Sequence, residues 1–294
     1  HKITLYMKLY PIQCGNFKLD GGAMFGVVPK SLWERTNPAD SKNLIELGTR
    51  SLLVEDGKKL ILIDCGLGNK QDEKFFGHYS LYGDESLDKN LKKYGFVRED
   101  ITDVFLTHLH FDHCGGAIEW NDDKSGYRPA FKNAQFWTNE NHWQWATEPN
   151  PREKASFLKE NILPMQESGQ LQFLPTPKTG NYGFAPDLKM DVIFVDGHTE
   201  KQMLPVIQYQ EKTIVFAADL IPTAGHIPQV YVMGYDTRPL LTMEEKGKFL
   251  KQCVENEYLL FFEHDAHHEL ASLKMTEKGV KLDETFSFNE VFGY

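Results

Sequence analysis

The sequence predicts an α/β chain in which two sheets stack between outer helices in one domain. Three observations predict it. Val/Ile/Leu/Phe-rich runs of strand length recur in both halves of the 294 residues. Runs with helical spacing of apolar residues stand between them. No low-complexity segment, short repeat or obvious linker divides the chain, and its length suffices for a large buried core.

The elements follow in order. SLLVED (51–56) and KLILIDCG (59–66) read as a hairpin with Asp56-Gly57 as its turn. SLDKNLKKYG (86–95) reads as a helix: Leu87, Leu91 and Tyr94 fall at i, i+4 and i+7, and Gly95 stops it. ITDVFLTH (101–108) is a strand again, so a βαβ unit places it in a covered sheet. Residues 119–177 differ, with Trp120, Trp137, Trp143 and Trp145 among several prolines. AQFWTN is a strand candidate there, and segments near 139–147 and 151–160 look helical. The section reads as an insertion of helices and loops laid over the sheet near the site. Strands follow at 190–197, 204–210 and 213–219. A helix over 243–256 has Phe249, Leu250, Cys253 and Val254 on one stripe, and 258–265 is a last buried strand.

Composition narrows the function classes. Thirty-two basic and 42 acidic residues give a net charge of −10, with no basic stripe to offset it. That excludes a general nucleic-acid binder and favours a small-molecule substrate. Four widely spaced cysteines, with no CxxC, argue against a disulfide framework or zinc ribbon and for a reducing compartment. No apolar run approaches the ~20 residues of a membrane span, and no signal peptide is visible. The expectation is a cytoplasmic protein, although a start at His1 leaves processing open.

The chemistry concentrates in FLTHLHFDHCGG, 105–116, where His108, His110, Asp112 and His113 fall within six residues. At the end of a strand, side chains at i and i+2 point to one side, so His108 and His110 can reach one cation. Asp112 and His113 are adjacent and aim elsewhere, toward a second cation. Gly115-Gly116 let the backbone turn tightly. Imidazole and carboxylate suit zinc and other first-row metals, whereas calcium or magnesium would want oxygens. Two sites demand further ligands at strand ends. His198 in VDGHT, Asp219 in VFAADL and His264 in LFFEHD each close an apolar run, where strand-end side chains converge on a crevice. His226, seven residues after Asp219, is a candidate for outer support or substrate contact. His78, His142, His267 and His268 compete less well, and Cys114 is expected to pack under the loop.

HLHFDH, followed by GHT, AAD and EHD, resembles the metallo-β-lactamase-fold hydrolase superfamily, particularly its lactonase-like and organophosphate-hydrolase-like branch. LIDCG (62–66) matches that family's early strand-ending aspartate. The resemblance spans residues 60–265 and implies one four-layer αββα sandwich over 1–294. It implies that His108, His110 and His198 hold a first metal, that Asp112, His113 and His264 hold a second, and that Asp219 bridges them. Asp64 would orient the loop as a non-ligand. The cofactors would be two divalent ions, zinc first, with manganese, iron and cobalt also fitting. Two dications against Asp112, Asp219 and a bridging hydroxide leave a net +1 for a developing oxyanion. Hydroxide at neutral pH would attack an ester-like centre, with Asp112 moving a proton to the leaving group.

A lactone heads the expected substrates. A thioester, as in glyoxalase II-like enzymes, and a phosphoester or organophosphate are rivals. Di-iron redox enzymes on the same scaffold place Glu where His110 stands. A homodimer is a family-level expectation. Two departures stand out. Pro222 occupies the place of a tyrosine three residues after the bridging aspartate in familiar lactonases; Tyr231, Tyr235 or His226 could substitute. GHTEKQM also lacks the second, non-ligand histidine of the common GHTPGH.

Overall fold

The βαβ unit expected over residues 59–108 is present and forms the middle of a sheet. In the computed structural model, which describes residues 7–293, the chain divides into two compact units. The first takes in residues up to 15, 49–76 and 83–189; the second takes in 16–48, 77–82 and everything from 190 on.

The first unit is organised by a six-stranded sheet. Its strands are β1 (Lys8–Asp20), β2 (Leu44–Asp56), β3 (Lys59–Ile63), β4 (Asp103–Phe105), β7 (Gln135–Asn139) and β8 (Leu171–Leu174), in the order β1-β2-β3-β4-β7-β8. Residues 16–20 of β1 and 44–48 of β2 are counted with the second unit. β2 and β3 pair antiparallel, closing at Asp56 and Lys59. The turn residues are therefore Gly57 and Lys58, one position later than read, and Gly57 takes a left-handed φ of 66°. β3, β4, β7 and β8 are parallel neighbours. Parallel strands need a crossover, and the helix Leu87–Lys93 supplies one between β3 and β4. It is capped by Ser86, whose side chain accepts from the Lys89 N–H. It buries Leu87 and Leu91 against Leu62, Val104 and Leu106.

Residues 119–177 correct the expectation of helices and loops laid over a sheet. β7, the strand expected at AQFWTN, and β8 lie in the sheet itself, and β5 (Ile118–Trp120) pairs with β6 (Tyr127–Pro129) as a small hairpin. The helix Glu140–Thr147 appears where expected. The second begins at Lys159 and ends at Glu167, later than read. Residues 151–156 form turns instead. β9 (Tyr182–Ala185) completes this unit's strands.

The second unit has strands β10 (Met190–Val195), β11 (Gln202–Tyr209), β12 (Lys212–Phe216), β13 (Leu259–Phe261), β14 (Leu270–Thr276) and β15 (Gly279–Phe286). Their order is β15-β14-β13-β12-β11-β10. β12 and β13 are parallel, and the helix Pro239–Glu255 crosses between them. Phe249, Leu250 and Cys253 are buried on it, as the stripe predicted. Every strand that leads to a candidate ligand stops earlier than read. β4 ends at Phe105, β10 at Val195, β12 at Phe216 and β13 at Phe261. The polar residues beyond these ends leave the ladder, and side chains take over their backbone bonds. Among the described residues no helix is long and apolar enough to cross a membrane.

Candidate metal centre

His108 and His110 lie in a loop beyond the end of β4, so a strand's i, i+2 spacing is not what brings their rings together. The loop is shaped by bonds to its main chain. The Leu106 N–H donates to the Trp137 carbonyl at 3.0 Å, the Thr107 N–H to Asp64 Oδ1 at 2.8 Å, and the Leu109 N–H to His142 Nε2 at 2.9 Å. A one-turn helix, Phe111–Cys114, follows. Gly115 and Gly116 come after it and open a 3-10 turn, Gly115–Ala117. A Cβ on Gly115 would strike the Leu67 carbonyl, and one on Gly116 the Cys65 carbonyl. The glycines are needed for close approach of two backbones. Cys114 is buried and its Sγ faces the Leu109 carbonyl at 3.3 Å, packed under the loop as expected.

Asp64 braces the first unit's candidate ligands. It is fully buried with a left-handed φ of 57°, a conformation that costs an L-residue about 1–3 kcal/mol and clusters at functional sites. Oδ1 accepts the Thr107 N–H; Oδ2 accepts the Thr107 hydroxyl at 2.7 Å and faces His113 Nδ1 at 2.9 Å. Because Thr107 donates to Asp64, its oxygen can accept from His108 Nδ1 at 3.1 Å. That fixes the tautomer and turns Nε2 toward His110. His110 is held the other way round, with Nε2 3.1 Å from Glu153 Oε1. Glu153 is itself buried and accepts from Trp145 Nε1 at 2.6 Å and Asn150 Nδ2 at 2.7 Å. The remaining nitrogens, His108 Nε2 and His110 Nδ1, stand 3.1 Å apart. Asp112 Oδ2 lies 3.6 Å from His113 Nε2.

The second unit repeats the principle. His198 Nδ1 faces Asp236 Oδ1 at 2.7 Å, and His264 Nδ1 donates to the Gly48 carbonyl at 2.8 Å. Their Nε2 atoms flank Asp219, His198 at 3.1 Å from Oδ2 and His264 at 3.1 Å from Oδ1. Burial works against charge on His198, but Asp219 and then Asp236 outweigh it and hold the imidazole up at about 10. Main-chain clamps place the ligands. Glu245 takes the Asp196 and Gly197 N–H groups, each at 2.7 Å. Burial pushes its carboxyl up to about 7 against the pull of those two donors. Lys246, also buried, gives its ammonium to the carbonyls of His226 and Tyr231 at 3.0 and 2.7 Å.

His226 is a packing residue. Nδ1 accepts from Thr223 Oγ1 at 2.7 Å, Nε2 donates to the Met24 carbonyl at 2.8 Å, and the ring stacks on Phe25 at 4.1 Å. Burial holds its pKa down at about 3, so it stays neutral. Both nitrogens are engaged, which removes it as a stand-in for the tyrosine at the Pro222 position.

The donor set of each unit fits divalent metal. All five imidazoles have one nitrogen turned toward an outer oxygen, the arrangement that orients metal-bound histidines. The other nitrogens sit about as far from a neighbouring donor as two atoms on one tetrahedral zinc, ~3.3 Å. Sequence reading missed Glu153, His142, Asp236 and Glu245. None lies in a motif, and their only signal is polarity inside segments that become buried.

The sequence model of the metallo-beta-lactamase superfamily matches residues 44–252. An N-acyl homoserine lactonase of Bacillus cereus is 22% identical over 275 residues, covering 89% of this chain and 94% of the relative. A probable metal-dependent hydrolase from Staphylococcus aureus superposes with a TM-score of 0.82 at 26% identity, over 97% of this chain and 98% of that one. AidC, a dizinc quorum-quenching lactonase in complex with a product, gives 0.75 at 23%, over 98% of both chains. A hydrolase of the beta-lactamase superfamily, AbOPH, gives 0.73 at 20%, over 96% and 95%. The chain belongs to the metallo-β-lactamase superfamily and has its fold.

Proposed function

We propose that the chain, a metal-dependent hydrolase of this superfamily, opens a small ester-like substrate at a dinuclear centre, with a lactone as the favoured class. The observation that carries the reading is the outward pinning of one nitrogen on each of His108, His110, His113, His198 and His264. Residues held in that way are prepared for metal, not for packing. In this reading His108, His110 and His198 serve one ion, Asp112, His113 and His264 serve the other, and Asp219 is shared. The ions, zinc first, would supply Lewis acidity and an activated water.

The chain's own groups do the rest. Asp64 and Glu153 keep the loop imidazoles in their ligand tautomers. Asp112, at 13% side-chain exposure the most open of these groups, is placed to pass a proton to the departing oxygen. The lactone preference is supported by relatives named N-acyl homoserine lactonase along 89% of the chain. Pro222 in the tyrosine's place favours a carbonyl contact from elsewhere, so the substrate range is expected to differ from theirs.

The test is metal analysis with hydrolysis assays on lactone, aryl ester, phosphotriester, thioester and β-lactam panels. About two ions per chain, fastest turnover on a lactone and loss of turnover in His110→Ala are expected. Turnover that survives metal removal would sink the reading; a faster phosphotriester or thioester would replace the substrate class.

A further inference from the structure

The turn that carries His198 also reaches Asp219. Lys201 adopts a left-handed φ of 52°, and its N–H and ammonium both bind the Asp196 carboxylate, at 2.8 Å and 2.8–2.9 Å. The chain then enters β11 at Gln202, opposite Val195. Gln202 is fully buried. It stands four residues after His198, where GHTPGH has its second histidine. Its Oε1 accepts the Asp219 N–H at 2.9 Å.

Asp219 needs such a hold. Ala218 before it is left-handed, with φ at 44°, and the next two N–H groups, of Leu220 and Ile221, both return to the Ala217 carbonyl. Its carboxylate thus sits on a strained turn, and the Gln202 amide oxygen ties the main chain at the ligand itself. The other end of the amide, Nε2, is buried without a hydrogen-bond partner. An unpaired buried donor is unfavourable and is not explained by packing. It is explained if the oxygen end is what matters.

We propose that Gln202 is a positioning residue for Asp219, fixing the backbone of the shared carboxylate so that both of its oxygens are presented to the ions. The proposal rests on the dinuclear reading above. Metal-stripped protein is titrated with zinc and with cobalt(II) against a chromophoric chelator, and the cobalt d–d spectrum is recorded. Gln202→Met, similar in length but without an acceptor, is expected to lose about 10–100-fold in affinity, the usual effect of an outer-shell partner, and to show an altered spectrum. Gln202→His, which restores an acceptor, is expected to recover both. If the Met variant does not fold by circular dichroism, Gln202→Asn, too short to reach, is used with the same expectation. Wild-type affinity and an unchanged cobalt spectrum in the folded Met or Asn variant would overturn the proposal. Failure of the parent reading would appear earlier, as fewer than two ions in the wild-type titration, and would overturn the proposal with it.

Discussion

The two sets of proposed ligands are built differently. In the first unit three imidazoles and a carboxylate come from one six-residue stretch, and outer carboxylates hold two of the imidazoles: Asp64 behind His113 and Glu153 behind His110. In the second unit the ligands close three separate strand ends. There one carboxylate, Asp236, stands behind His198, and the rest of the placing falls to Glu245 on the turn before His198, Gln202 on the Asp219 main chain and the Gly48 carbonyl on His264. Damage to the first set should appear mainly as lost charge and tautomer control, and damage to the second, Asp236 apart, as lost placement.

The largest expected effect tests the first set. Asp64→Ala strips the acceptors from Thr107 and His113 and forces alanine into a left-handed conformation. It should cost about 3–5 kcal/mol in urea unfolding, the scale for breaking a buried charged network, and should abolish uptake of at least one ion. A near-neutral effect would refute Asp64 as the brace. The matching change in the second unit is Glu245→Leu, which leaves two buried N–H groups unpaired. The expected cost is ~2–3 kcal/mol, with zinc affinity falling in step. Unchanged zinc affinity in a folded Glu245→Leu protein would blur the contrast between the sets.

Glu153→Gln sharpens the comparison further: an amide oxygen can still serve His110, but the charge is lost and the NH2 then faces the Trp145 and Asn150 donors. About a tenfold loss of zinc affinity is expected in competition titration, with a loss of about 1–3 kcal/mol in unfolding for the buried donors left unpaired. His226 gives a pH effect confined to the second unit. The unfolded histidine takes up a proton near its ordinary value, while burial delays the folded one to about 3. The unfolded chain therefore binds more protons across that interval, and stability falls as pH drops through it. His226→Gln should shift the acid limb of a stability-against-pH curve to lower pH. The smallest effect belongs to Lys201→Gly. It relieves ~1 kcal/mol of left-handed strain but loses an Asp196 ion pair worth ~1 kcal/mol or less, so thermal melting should barely move.

The same contrast explains what could be read in advance. HLHFDH is legible as a candidate site because a contiguous motif carries its polar side chains with it. His198, Asp219 and His264 were legible because each closes an apolar run. The strand lengths were overread at those positions, since Thr107 and Leu109 bond to Asp64 and His142 and not to a ladder. AQFWTN reads as a strand and is β7, but Trp and Pro obscure its parallel pairing and that of β8, which only tertiary structure decides. Glu153, Asp236 and Glu245 were out of reach: burial gives an isolated acidic residue its role, and spacing along the chain carries no trace of that.

Trp145 donates to the carboxylate that holds His110, so one indole lies two hydrogen bonds from a proposed ligand nitrogen. Metal loading changes the charge felt at that indole, which makes its fluorescence an internal gauge of occupancy. Emission should shift as chelator removes the ions, and Trp145→Phe should erase most of the shift while the other four tryptophans still emit.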